Sequence, residues 1–126
     1  MMIGIDIVKI KRFENFLEKF GKKAFEKYLD ENEIKLVKNA QSAAGFFAAK
    51  EAISKALGLG ISKECGFFDI KIYKLPNGAP SFTLSSHLIK SHKITSVSLS
   101  ISHDGGFAIA AAVIEGKMPL EQKLSH

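Results

Sequence analysis

An α+β fold, with a mostly antiparallel sheet packed against helices, is what the 126-residue sequence predicts. Three observations carry it. A strand with period-2 apolar alternation opens the chain, helical periodicity fills residues 10 to 57, and the second half alternates again in two turn-linked pairs. No repeat, low-complexity segment or linker interrupts this order, and 46% hydrophobic with 25% charged residues suits a domain that buries its own core. One domain is expected over 1–116, followed by a polar C-terminal tail over 117–126.

The opening stretch sets Ile3, Ile5 and Ile7 against Gly4, Asp6 and Val8, the pattern of a strand buried mostly on one face. Phe13, Phe16, Leu17 and Phe20 then recur at helical spacing before Gly21, a natural C-terminal cap. The spacing predicts an amphipathic helix with a basic entry at Lys9, Lys11 and Arg12. Phe25, Tyr28 and Leu29 predict a second short helix, and Asp30 with Glu33 spells the capping box of a third. A fourth, from near Ser42 to the glycines at 58 and 60, is the most apolar in the chain, yet it carries Lys50, Glu51 and Lys55. Phe68, Ile70 and Ile72 alternate toward the turn Pro76-Asn77-Gly78, and Pro80 opens the second strand of that hairpin. A short helix capped by Ser85 or Ser86 leads to a final pair of strands joined at Asp104-Gly105-Gly106.

Composition removes several classes of function. With Cys65 the only cysteine, there is neither an internal disulfide framework nor a multi-cysteine zinc site, and a reducing compartment is expected. The four histidines, at 87, 92, 103 and 126, are too scattered for a zinc ligand pair, and no serine sits in a nucleophile-elbow glycine pattern. The first apolar run is short and its basic residues follow it, the reverse of a secretory signal, so a cytoplasmic protein without a membrane span is expected. A net charge of +5, with Arg12 the only arginine among 18 basic residues, suits an anionic partner. A nucleic-acid-binding module would want aromatic residues on an exposed strand face or a loop signature, and neither occurs.

Three polar groups interrupt apolar patterns. His103 is in phase with Val97, Leu99 and Ile101, which fits either a buried, hydrogen-bonded imidazole or a ligand contact at a pocket rim. Asp6 stands amid isoleucines, either on the solvent face of an edge strand or paired with a cation. On the fourth helix, an advance of about 100° per residue gathers Ala48, Ala49, Ala52, Ile53, Ala56 and Leu57 in one arc and Lys50, Glu51, Ser54, Lys55 and Gly58 in the other. Glu51 and Lys55 then form a surface pair one turn apart or, if the alanine-rich helix is covered nearly all round, Glu51 needs another partner. Two carboxylates brought together from strand and helix would supply hard oxygen ligands suited to Mg²⁺, which keeps waters and shares a substrate phosphate.

Gly4 to Val8 (GIDIV), Phe47 to Ile61 (FAAKEAISKALGLGI), Asn77 to Pro80 (NGAP) and Val97 to Asp104 (VSLSISHD) resemble, in order and spacing, the small bacterial holo-acyl-carrier-protein synthases. The resemblance spans nearly the whole chain. It implies a 4′-phosphopantetheinyl transferase fold and an enzyme of fatty acid biosynthesis that moves 4′-phosphopantetheine from coenzyme A to a serine of apo-acyl carrier protein. It further implies Mg²⁺ held by Asp6 and Glu51, and Lys55 at the phosphates beside Glu51 as the catalytic pair. Coenzyme contacts at Lys55, His103, Gly58 and Pro80, a carrier contact at Arg12, and a homotrimer with sites at subunit interfaces belong to the same implication. Two positions depart from the family pattern: Phe46 stands where arginine is common, and Ala79 where lysine is common. Either coenzyme affinity is weaker, or Lys50 or another lysine replaces those cations.

Overall fold

A computed structural model describes residues 1–117 of the chain. Five strands, β1 (Met2–Lys9), β2 (Ile70–Lys74), β3 (Pro80–Leu84), β4 (Ser96–Asp104) and β5 (Phe107–Glu115), accompany four helices, α1 (Ile10–Phe20), α2 (Glu31–Leu36), α3 (Ala40–Ala56) and α4 (Ser86–Ser91). The strands form two sheets rather than one. A three-stranded sheet runs β1-β5-β4 and a hairpin pairs β2 with β3, both wholly antiparallel.

Helix α3 is the axis around which the rest packs. Asn39 caps it reciprocally with Ser42: the Ser42 amide donates to Asn39 Oδ1 at 2.9 Å and the Asn39 amide to Ser42 Oγ at 3.1 Å. Ser42 is therefore inside the first turn, three residues beyond the cap, and the helix ends at Ala56 with Gly58 in the left-handed region at φ 76°. Small side chains on both partners let α3 lie close to the sheet. Ala108, Ala110 and Ala112 of β5 are buried, as are Ala48, Ala49, Ala52 and Ala56 of α3. At Gly4 the approach is closest, for a Cβ there would stand 1.8 Å from the Ala52 carbonyl oxygen and 2.6 Å from the Ala56 nitrogen. Only glycine lets β1 rest on the α3 backbone.

That contact reverses the expected orientation of β1. Met2, Gly4 and Val8 turn toward α3, while Ile3, Ile5 and Ile7 are 63, 61 and 56% exposed on the outer face. The alternation was legible but its direction was not, because the covered face is the one with the least side chain. Other expectations shift locally. Residues Gly21–Lys27 form a 3₁₀ helix in place of the second α-helix, and Phe67–Asp69 form a 3₁₀ turn, so β2 begins at Ile70 and Phe68 is exposed. Ser85 occupies the N-cap of α4 without a side-chain hydrogen bond. Of the tail expected over 117–126, all but Lys117 lies outside the described residues.

Candidate functional site

Two residues past Gly4, on the same face of β1, Asp6 looks toward α3 with its side chain 14% exposed. Lys55 reaches it across the strand-helix junction, its Nζ 2.7 Å from Asp6 Oδ1 and 3.4 Å from the Ile5 carbonyl oxygen. Glu51, one turn earlier on α3, is partly buried. Burial raises its pKa above the usual carboxylate range, the negative charge of Asp6 adds to the rise, and Lys55 and Arg12 oppose it. The expected ion pair between Glu51 and Lys55 is not present among the described residues; the ammonium goes to the strand carboxylate instead. Asp6, Glu51 and Lys55 thus occupy one electrostatic neighbourhood, with Asp6 paired rather than solvated.

Among the described residues no group of three or more His, Cys, Asp and Glu side chains could enclose a metal. Two carboxylates remain, and their donor chemistry fits an ion that needs few protein ligands. Burial and then the like charge of Asp6 disfavour ionisation of Glu51, and a cation held by the two carboxylates would relieve that repulsion.

Arg12 is exposed and held by stacking. Its guanidinium carbon is 5.0 Å from the Phe47 ring centroid, 5.5 Å from that of Phe13 and 5.9 Å from that of Phe16. Phe47 precedes Glu51 by one turn, so the stack fixes a positive charge within electrostatic reach of Glu51. Arg12 also lines an open cleft of about 530 Å³ with Ile7, Val8, Lys9, Lys11 and Asn15.

The other expected contacts lie elsewhere in the chain. His103, near the end of β4, is exposed and not enclosed by the core. It lines a second open cleft, of about 490 Å³, with Lys11, Glu14, Gln41 and Asp104. Gly58 follows α3, its amide donating to the Lys55 carbonyl at 2.9 Å. Pro80 opens β3 opposite Lys74. Among the described residues, no hydrogen bond or ion pair within this one chain links His103 or Pro80 to Asp6, Glu51 or Lys55.

Lys50, whose role the sequence leaves open, turns inward. Its side chain is fully buried, with Nζ 2.7 Å from the Tyr28 carbonyl oxygen, 2.9 Å from Glu33 Oε1 and 2.9 Å from the Phe67 carbonyl oxygen. Burial lowers its pKa from the usual lysine range, with Glu33 opposing. Ser54 is buried too, so the supposedly polar arc of α3 is solvated only near Lys55 and Gly58. Lys50 therefore cannot replace the family's missing cations. Phe46 is also buried, and the ammonium beside it is that of Lys74, 5.9 Å from the ring centroid. The capping box at Asp30 and Glu33 was visible in sequence, but nothing there signalled that Glu33 also receives Lys50.

Residues 2–112 match the family model of the 4′-phosphopantetheinyl transferase superfamily. The chain is 57% identical over 114 residues to a holo-[acyl-carrier-protein] synthase of Sulfurimonas denitrificans, covering 90% of this chain and 94% of that one. Its fold is similar to the crystal structure of the Helicobacter pylori holo-[acyl-carrier-protein] synthase in complex with coenzyme A, with a TM-score of 0.85 and 52% identity over 90% of this chain and 100% of that chain. A Bacillus anthracis holo-(acyl-carrier-protein) synthase in complex with CoA (3′,5′-ADP) is similar with a TM-score of 0.75 and 41% identity over 92% of this chain and 96% of that one. The chain belongs to the holo-[acyl-carrier-protein] synthase family of the 4′-phosphopantetheinyl transferase superfamily.

Proposed function

We propose that the chain transfers 4′-phosphopantetheine from coenzyme A to a serine hydroxyl of apo-acyl carrier protein, in a Mg²⁺-dependent step of cytoplasmic fatty acid biosynthesis. The observation that carries this reading is the convergence of Asp6 and Glu51 from opposite ends of the domain's first half, with Lys55 beside them. In the reaction the carrier serine oxygen gives up its proton to water and bonds to the phosphorus nearer pantetheine, and the bond from that phosphorus to the bridging oxygen breaks. Adenosine 3′,5′-bisphosphate leaves. Asp6 and Glu51 would hold Mg²⁺, which supplies Lewis-acid charge stabilisation to the pyrophosphate when bound. Lys55, beside Asp6, would offset the charge of the leaving phosphate or protonate it. His103, Gly58 and Pro80 contact the coenzyme, and Lys74, beside Phe46 and opposite Pro80, supplies the cation that Phe46 and Ala79 do not.

Two surfaces extend the reading. Ile3, Ile5 and Ile7, with Phe107 at the end of the neighbouring strand, form an exposed apolar stripe that a single chain leaves uncovered. We assign it to the contact between copies in a homotrimer, which would also bring His103 or Pro80 of one copy to the acidic pair of another. Arg12, with Lys9 and Lys11 around its cleft, faces the acidic carrier.

The reaction is tested by incubating the protein with Mg²⁺, coenzyme A and its own organism's apo-carrier. A gain of the phosphopantetheine mass on the carrier is expected, and its absence overturns the assignment. Arg12→Glu should raise the carrier KM about 10-fold or more with the coenzyme A KM nearly unchanged, as steady-state kinetics would resolve. Lys55→Met carries a sharper expectation, because its effects on binding and on rate have opposite signs. It frees Asp6 and so tightens Mg²⁺ binding by calorimetry, while kcat falls about 100-fold. Parallel losses in both would place Lys55 among the metal's supports instead.

A further inference from the structure

We infer that Lys50 and Glu33 form a positioning device for the proposed metal site, a role that rests on the reading of Glu51 given above. Lys50 immediately precedes Glu51 on α3 but projects away from it into the interior, where three oxygens receive its ammonium. Those oxygens come from three separate segments: the Tyr28 carbonyl before α2, the Glu33 carboxylate within α2, and the Phe67 carbonyl ahead of β2. Glu33 is equally committed. Its Oε1 also accepts the Asp30 amide at 2.9 Å, and its Oε2 accepts the Ile72 amide of β2 at 2.9 Å.

The consequence is geometric. Alanines and a glycine line the sheet-facing side of α3, so few long side chains of the helix key into the sheet. A three-point hydrogen-bonded anchor on the opposite side fixes the helix's rotational phase, and with it the direction in which the next residue, Glu51, points toward Asp6. The same carboxylate ties down β2, the strand whose hairpin partner begins with Pro80. One buried pair therefore holds the metal-facing helix and the hairpin in a fixed relation. Lys50 is a positioning residue and touches no substrate.

The experiment compares Lys50→Met, Lys50→Arg and the double variant Lys50→Met/Glu33→Met with the unaltered protein. The double variant removes both charges together and avoids leaving one buried without its partner. Mn²⁺ affinity is read by electron paramagnetic resonance on the protein without coenzyme, and kcat and carrier KM are normalised to the folded fraction from circular dichroism. In every folded variant, Mn²⁺ affinity and kcat should each fall about 10-fold or more, with carrier KM within about twofold of the unaltered protein. A folded variant with unaltered Mn²⁺ affinity and kcat overturns the inference. So does failure of all three to fold, which would make the pair a requirement of folding rather than of alignment. Absence of transfer by the unaltered protein would defeat the proposed reaction; a defect confined to the variants speaks only to positioning.

Discussion

Glu51→Gln should lower kcat by about 1,000-fold while leaving the fold as stable as before or slightly more so. The two halves of that expectation come from the same feature. Glu51 is partly buried and faces the charge of Asp6, so its carboxylate is held in the native chain at a cost. Because its folded-state pKa is raised, the folded chain binds this proton more tightly than the unfolded chain does. The resulting stabilisation is present at low pH and is lost as pH rises from the ordinary Glu range through the raised value. Glutamine keeps the shape, cannot ionise and cannot serve as an anionic metal ligand. Thermal melts between pH 4 and 7 should accordingly show a shallower fall with rising pH for the variant, on top of the charges both proteins share. Carrier mass spectrometry in single turnover reads the rate. A variant that unfolds at neutral pH, or one that retains most of its transfer rate, would remove Glu51 from the metal site.

Ile5→Glu should dissociate the proposed trimer and reduce activity by about 100-fold or more, the scale of loss expected when reacting groups are misplaced by about 1 Å. The substitution is clean because of the strand's alternation. Ile5 points outward, whereas its carbonyl oxygen, which receives Lys55, belongs to the backbone and is untouched by the change. In the isolated chain an exposed isoleucine replaced by glutamate has little effect on stability. At a packed three-fold contact the same change buries like charges against each other. Light scattering after size exclusion would give a monomer mass, with circular dichroism unchanged. A trimer that persists, or a monomer with full activity, would show that the isoleucine stripe serves some other purpose.

Most of the element order was legible because its signals are local. Asp30 with Glu33 announced α2, Gly21 closed α1, and the turns at Asn77-Gly78 and Gly105-Gly106 placed both hairpins. What failed depended on the neighbour. β1 displays three isoleucines that look like core, yet its packed face is the one that includes Gly4, because closeness to α3 is gained by removing side chain. On α3 two charges read alike in sequence, but Lys55 reaches solvent while Lys50 is enclosed by carbonyls that arrive from residues 28 and 67. For His103 the sequence left two readings, an enclosed imidazole or a contact at a pocket rim, and its exposed position on the rim of a cleft is the second of them. The acidic pair was within reach of sequence reasoning because a carboxylate on a strand is conspicuous; the burial of Lys50 was not, because two of its three partners are backbone carbonyls.

The sheet order β1-β5-β4 has a consequence for how the protein comes into being. Among the described residues β1 pairs only with β5, which begins at Phe107, far along the chain from Asp6. During synthesis β1 must wait, unpaired and carrying its isoleucines, until β5 has been made. Activity should therefore appear abruptly with chain length, and a ribosome-released fragment ending before Phe107 should expose an apolar edge to chaperones while holding Asp6, Glu51 and Lys55 intact in sequence and useless in space.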